Sequence, residues 1–332
     1  MKGLVAILAA LLALTACNES KVAPLSSKTS PTASSCPTVY HDLSGRCISQ
    51  VPDGIYGNSN TIGIRIGNGG AGISGLVGAL AQAYLAEYKD DPGISSFSIA
   101  WYKTDSTVSL AWLKDGKSDV ALTYDEALEL QATEGPNAYA SERTYIFNDH
   151  FYVVGPASNP AGLNGTEQMD IAFTKIMMNG CSKPDSAPAC AVFMSRDDLS
   201  ATNLKEKRVW TGLVPAETLM QTSWYVRHPS FPDVALKYAN DQSYYTLTDK
   251  GTWLSNRGHT GNLRIFLDGT KPDQNLLLLP AHATIALHKA RSSEYPKKFV
   301  DWMASPRGQA VIDNFGVSQY GEQLYSPVGP TK

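Results

Sequence analysis

Short apolar runs of period two alternate along this chain with longer stretches of helical spacing. TIGIRI (61–66), SFSIAWY (96–102) and DVALTY (119–124) predict strands, while ISGLVGALAQAYLAEYK (73–89), SLAWLKDGK (109–117) and DEALELQAT (125–133) predict helices. This β-α-β-α-β-α order predicts an α/β unit with a largely parallel sheet. HFYVVG (150–155) reads as a strand that ends in a Gly-Pro turn cluster. A second α/β unit follows, with helices over 166–180 and 201–212, a strand at AVFMS (191–195), and a helix over 230–242 opened by Pro232. YYTLT (244–248), LRIFLD (263–268) and HATIALH (282–288) read as strands, and DKGTWLSN (249–256) as a helix. EYPKKFVDWMASPRGQAVIDNFG (294–316) gives two helices broken at Ser305-Pro306. No internal repeat is visible. The pattern predicts two α/β lobes with crossings near 150–156 and 243–262, and ligand chemistry in the cleft between them.

Composition changes little in this picture. The 332 residues are 43% apolar and 18% charged, with a formal charge of −3. That excludes nucleic acid, or a membrane surface bound by charge, as the main partner. An anion would have to be held by local dipoles and a few placed cations.

The N-terminus changes more. MKGLVAILAALLALTAC (1–17) joins a lysine to a short apolar run, too short and too poorly flanked to span a membrane. It reads as an export signal, and LTAC resembles the lipobox of bacterial lipoproteins, which implies lipidation at Cys17. NESKVAPLSSKTSPTASS (18–35) is a polar, Ser/Pro-rich tether. Four cysteines remain in two close pairs, Cys36 with Cys47 and Cys181 with Cys190. In an oxidising compartment two local disulfides are expected, though other pairings stay open. Zinc is disfavoured because no CxxC is present.

Three segments follow a strand and precede a helix: GNGGAG (67–72), TDST (104–107) and SRDDLSAT (195–202). Unpaired N–H groups and the helix dipole make each a piece of an anion site. Asn68, Gly69 and Gly70 offer close backbone approach. Ser106, Thr107, Ser200 and Thr202 offer neutral donors, and Arg196 a forked cation. Ordinary helix capping accounts for any one of these segments alone. Asp197 and Asp198 beside Arg196 either orient its guanidinium or partly neutralise it. GNGGAG also matches the dinucleotide fingerprint, but the acidic residue expected after the second strand is missing. Hydrolase signatures fail, since Ser74 lies in GISGL. The six histidines show no metal spacing, and His282 and His288 flank a strand as surface or packing residues. No cofactor, metal or catalytic residue is expected.

Longer stretches carry a resemblance. FNDHFYVVGPASNPAGL (147–163), FMSRDDLSATNLKEKRVW (193–210), YYTLTDKGTWL (244–254) and FVDWMASPRGQAVIDNFG (299–316) resemble segments of the tungstate-binding extracytoplasmic proteins that feed ABC importers. These belong to the wider PBP-type solute-binding proteins. The resemblance covers about residues 60–328. It implies a two-lobed, periplasmic-binding-protein-like (type II) α/β fold with a hinge and an interlobe cleft. It also implies a small oxyanion ligand, an ABC permease as partner and no enzymatic activity. Carried over, Arg196, Ser200 and Thr202 match the family's anion-contacting turn, Ser106 its V-G-T-G threonine, and Ser74 the serine opening its first helix. The sequence departs from the family where a hydroxyl-rich TTTS loop becomes Gly67-Asn68-Gly69-Gly70. It departs again where a glycine becomes Asp197, where a valine-histidine pair becomes Thr123-Tyr124, and where an NPY segment becomes LPAHATIAL. The expected organisation is a lipoprotein-type signal (1–17), a tether and disulfide loop (18–59), lobe I (60–150 plus 245–332) and lobe II (151–244). The alternative is a ligand-sensing or structural lipoprotein on the same scaffold, binding an organic anion or a protein.

Overall fold

The computed structural model describes residues 38–287 and 294–328. Cys17, Cys36 and His288 lie outside the described residues. Short strands β1 (His41–Asp42) and β2 (Gly54–Tyr56) precede β3 (Thr61–Asn68), α1 (Gly70–Ile73) and α2 (Leu76–Glu87). Then come β4 (Ser98–Lys103), α3 (Ser106–Lys114), β5 (Val120–Thr123), α4 (Glu126–Thr133) and the long strand β6 (Ala140–Pro156). The second half holds α5 (Met169–Met178), β7 (Phe193–Ser195), α6 (Ala201–Leu213), α7 (Ala216–Leu219), β8 (Tyr225–Arg227) and α8 (Pro232–Gln242). It closes with β9 (Thr246–Asp249), α9 (Lys250–Ser255), β10 (Leu263–Asp268), β11 (Leu278–Ala286), α10 (Glu294–Ala304), α11 (Pro306–Asn314), α12 (Val317–Tyr320) and β12 (Ser326–Pro327).

The helix expected over 73–89 is split. Gly75 takes a φ of +96°, which ends α1 and restarts the chain as α2. The helix expected over 109–117 begins at Ser106 instead, because the Asp105 carboxylate accepts the Val108 N–H at 2.8 Å and caps it.

The three strands of the first α/β unit pair parallel as expected, within a sheet that is mixed as a whole. β3 pairs parallel with β4 and β5, but β11 runs antiparallel to β5 and β6, and β2 antiparallel to β4. Strand β6 ties the molecule together. Its first part pairs with β11; beyond Phe151 it pairs with β9 on one edge and β10 on the other.

The change of partners marks a change of core. Ile146 and Phe147 pack with Ile64, Leu80, Tyr84 and Phe299. Phe151 and Val153 pack with Phe173, Phe193, Trp210 and Leu267, while Tyr152 and Val154 face Met194, Leu236 and Leu263. Successive side chains leave a strand on opposite faces, so β6 serves both layers of the second lobe. The result is a two-lobed α/β fold of type II.

Cys181 and Cys190 form a disulfide, with Cα atoms 5.2 Å apart. Cys47 is also disulfide-bonded. His282 does not flank its strand. It lies within β11, 8% exposed, with Nδ1 3.1 Å from Glu129 Oε2. Among the described residues no helix is long and apolar enough to cross a membrane.

Candidate functional site

A cavity of about 570 Å³ opens between the lobes, bordered by the N-terminal ends of α1, α3 and α6. Gly69, Gly70, Ser106, Arg196, Ser200 and Thr202 line it. Asn68, Ser74 and Thr107 are not among its lining residues, and the first two have local employment. Asn68 is fully buried; its Nδ2 donates to the Leu122 carbonyl at 2.7 Å and its Oδ1 accepts the Gly72 N–H at 2.6 Å. Ser74 Oγ lies 2.8 Å from the Tyr325 hydroxyl and donates to the Ala71 carbonyl at 3.0 Å. Thr107 is exposed.

The glycines of the first loop answer to packing. A Cβ at Gly69 would stand 2.9 Å from the Thr104 carbonyl oxygen, and one at Gly72 would enter the Trp101 ring at 2.0 Å. The Trp101 indole N–H in turn donates to the Asn68 carbonyl at 2.9 Å. The loop is thus clamped between β4 and β5.

On the same side, Ser106 opens α3. It is 6% exposed, and its hydroxyl makes no hydrogen bond among the described residues. First-turn N–H groups of α3 have no partners within the helix, so this end offers donors to an anion.

The opposite wall is the turn 195–200. Arg196 is 7% exposed and pairs through Nη2 with Asp198, while Nη1 donates to Thr202 Oγ1 at 3.3 Å. Its Nε is buried with no partner among the described residues. Ser200 caps α6, accepting the Asn203 N–H at 3.3 Å and donating to Asp198 Oδ1 at 2.6 Å. Asp197 has a φ of +42°, a conformation that glycine adopts without strain and that Asp tolerates better than most residues. Its carboxylate meets Lys207 Nζ at 2.6 Å and Arg227 Nη1 at 3.3 Å. Of the two adjacent acids, then, Asp198 engages the guanidinium, and Asp197 is neutralised by other cations.

The sequence reading did not single out the other acids of the cavity. Asp105, Asp149 and Asp249 line it, with Tyr124 and the cation Lys103. Asp149 on β6 is 3% exposed. Burial, reinforced by the charge of nearby Asp249, pushes its carboxyl well above the usual range. Asp249 caps α9 through the Thr252 N–H at 2.7 Å and its hydroxyl at 2.6 Å. The buried Tyr124 hydroxyl has no partner among the described residues, and burial raises its pKa. Asp249 comes near Asp149 because β9 pairs with β6, setting Asp249 opposite Phe151. No local motif signals that.

Contacts among the described residues bridge the lobes. Arg208 of α6 meets Asp125, the N-cap of α4, at 2.6 Å, and Lys103 lies 3.9 Å from the Phe231 ring centre.

Fold and site together define a class: a two-lobed binding protein whose ligand cavity lies where the lobes meet. The chain belongs to the PBP superfamily, whose domain model matches residues 56–307. It is similar to a Haloferax volcanii protein provisionally described as an ABC transporter anion-binding protein, at 31% identity over 226 residues. That match covers 64% of this chain, and the chain spans 58% of the relative's length. It is also similar to the tungstate-binding protein TupA of Peptoclostridium acidaminophilum, 29% identical over 254 residues, covering 75% of this chain and 80% of that one. Among solved structures it resembles a periplasmic protein provisionally described as metal-binding, with 38% identity, a TM-score of 0.72 and coverage of 81% and 97%. Tungstate-binding TupA from Desulfovibrio alaskensis G20 shares the fold, with 24% identity, a TM-score of 0.64 and coverage of 80% and 98%. Among the described residues no three His, Cys, Asp or Glu side chains gather as metal ligands.

Proposed function

We propose that this protein is an extracytoplasmic solute-binding protein that captures a small oxyanion of the tungstate or molybdate kind for an ABC importer. The observation that carries the reading is Arg196, buried at the cavity wall between the N-termini of α3 and α6 with Nε unengaged. A guanidinium and helix N-termini converging on one cavity suit an anion of that geometry. The anion-binding and tungstate-binding relatives support the same ligand class. In this reading Ser106 and Thr202 supply hydroxyl contacts, and Gly69 and Gly70 leave room for backbone approach. The lobes close on the ligand about β6 and β11, and a permease receives the closed form. The N-terminal segment would export the chain and anchor it through a lipid on Cys17. The binding step needs no covalent chemistry.

A second reading has its own support. Glycines replace a hydroxyl loop, four aspartates line the cavity, and Trp112 and Phe231 widen its apolar surface. An organic anion fits that lining, with the protein acting as a sensor without a transport partner. Native mass spectrometry with tungstate, molybdate, sulfate and phosphate separates the two. One oxyanion per chain, lost in Arg196→Ala, supports the first reading. No adduct with any of the four, alongside one with carboxylated organic anions, sinks it.

A further inference from the structure

A buried carboxylate lies behind the Arg196 turn. Glu206 of α6 is 2% exposed. Its Oε2 accepts the Ser195 hydroxyl at 2.7 Å and Asn203 Nδ2 at 3.4 Å, and its Oε1 accepts the Tyr225 hydroxyl at 2.8 Å. Two of these donors also hold the turn. Ser195 Oγ receives the Asp197 N–H at 3.3 Å, and Asn203 Oδ1 receives the Leu199 N–H at 3.3 Å. Those two amides belong to residues with φ of +42° and +61°, values that a non-glycine residue keeps only when its surroundings impose them. Among the described residues no cation forms an ion pair with Glu206. Lys207 is turned to Asp197 at 2.6 Å, as is Arg227 of β8 at 3.3 Å, while Arg196 pairs with Asp198.

We propose that Glu206 is the positioning residue of the anion turn: its ionised carboxylate gathers three donors and, through Ser195 and Asn203, holds residues 195–200 so that Arg196 faces the cavity. This rests on the oxyanion reading of that cavity. A proton on Glu206 sits on Oε1 in place of the bond from Tyr225, and the now neutral Oε2 holds Ser195 and Asn203 more weakly, so the turn loosens. The exchange falls near neutrality. Burial pushes the carboxyl up to about 7, against the hydrogen bonds from Ser195, Tyr225 and Asn203 and the charge of Lys207.

The test is molybdate affinity by calorimetry between about pH 5.5 and about pH 8.5, a range spanning the titration of a carboxyl raised this far. Asp149, in the same cavity, titrates in every variant, so the informative quantity is the ratio of wild type to Glu206→Gln. The ratio should be near one on the acid side and reach about tenfold on the alkaline side, the worth of one hydrogen bond in the network. Tyr225→Phe removes a donor that favours the ionised form, so it should move the midpoint upward. A ratio constant at every pH overturns the proposal, because that is what mere structural damage gives. A ligand-free readout separates this from failure of the oxyanion reading. The amide resonances of Asp197 and Leu199 should titrate near neutrality in wild type and not in Glu206→Gln. Titrating amides in a protein that ignores molybdate support the role of Glu206 and contradict the ligand. Silent amides overturn the role itself.

Discussion

Asp149 is a cavity carboxyl held well above its ordinary range by burial. It is enclosed, it lies near a second carboxylate, and among the described residues no cation forms an ion pair with it, although Lys250 lies near enough to favour its charged form. Its carboxyl is raised in the folded chain, so its favourable contribution is complete below the unfolded value of 3.8 and is lost as pH rises through the folded value. Asp149→Asn stays neutral throughout. Its stability advantage over wild type should therefore be small in mild acid and larger at pH above neutrality, as read by urea unfolding at two pH values. An equal difference at both would mean that Asp149 is ionised in the fold. The sequence displayed the residues of the Arg196 turn openly, because Arg196, Ser200 and Thr202 lie within one strand-to-helix junction. It did not display Asp149 or Asp249, which sit on separate strands and meet only through sheet register. Asn68 and Ser74 pointed the other way. Both looked like ligand groups, and both are consumed by local hydrogen bonds.

The loop between β3 and α1 shows how an element can mislead. Its glycine spacing copies a phosphate-binding fingerprint, yet each glycine has a different neighbour. Gly72 abuts the Trp101 ring and Gly69 the Thr104 carbonyl, whereas a Cβ at Gly70 would meet nothing nearer than the Tyr124 hydroxyl at 4.0 Å. Alanine substitutions should therefore rank by packing. Gly72→Ala and Gly69→Ala should each cost about 1–3 kcal/mol, with Gly72→Ala the worse, as overpacking does. Gly70→Ala should stay within about 0.5 kcal/mol, as a substitution free of clashes does. Similar losses at all three positions in thermal denaturation would refute the packing explanation. At this scale the periodic segments were read well. Boundaries moved where a cap or a left-handed glycine decided them, at Asp105 and Gly75.

For the whole molecule, the hydrophobic pattern conveyed two α/β lobes but not how the strands are shared. β6 is one continuous strand of 17 residues whose two parts belong to different cores. Period-two alternation says that a strand has two faces, not which sheet its edges join, so the pairing of β9 and β10 with β6 stayed hidden. The lobes meet across Asp125–Arg208 and Lys103–Phe231. Arg208 is 54% exposed along its side chain, whereas the Asp125 carboxylate that it meets is 1% exposed, so solvent screens the pair from one side only. In the proposed reading, closure draws its energy from the ligand. The most direct measurement is thermal unfolding of the purified protein against tungstate, molybdate, sulfate and phosphate, with Arg196→Ala beside it. One oxyanion at about 100 times its Kd should add about 2.7 kcal/mol of stability to wild type and none to the variant. An equal shift in both proteins, or no shift with any of the four, would contradict an oxyanion held by Arg196 between the lobes.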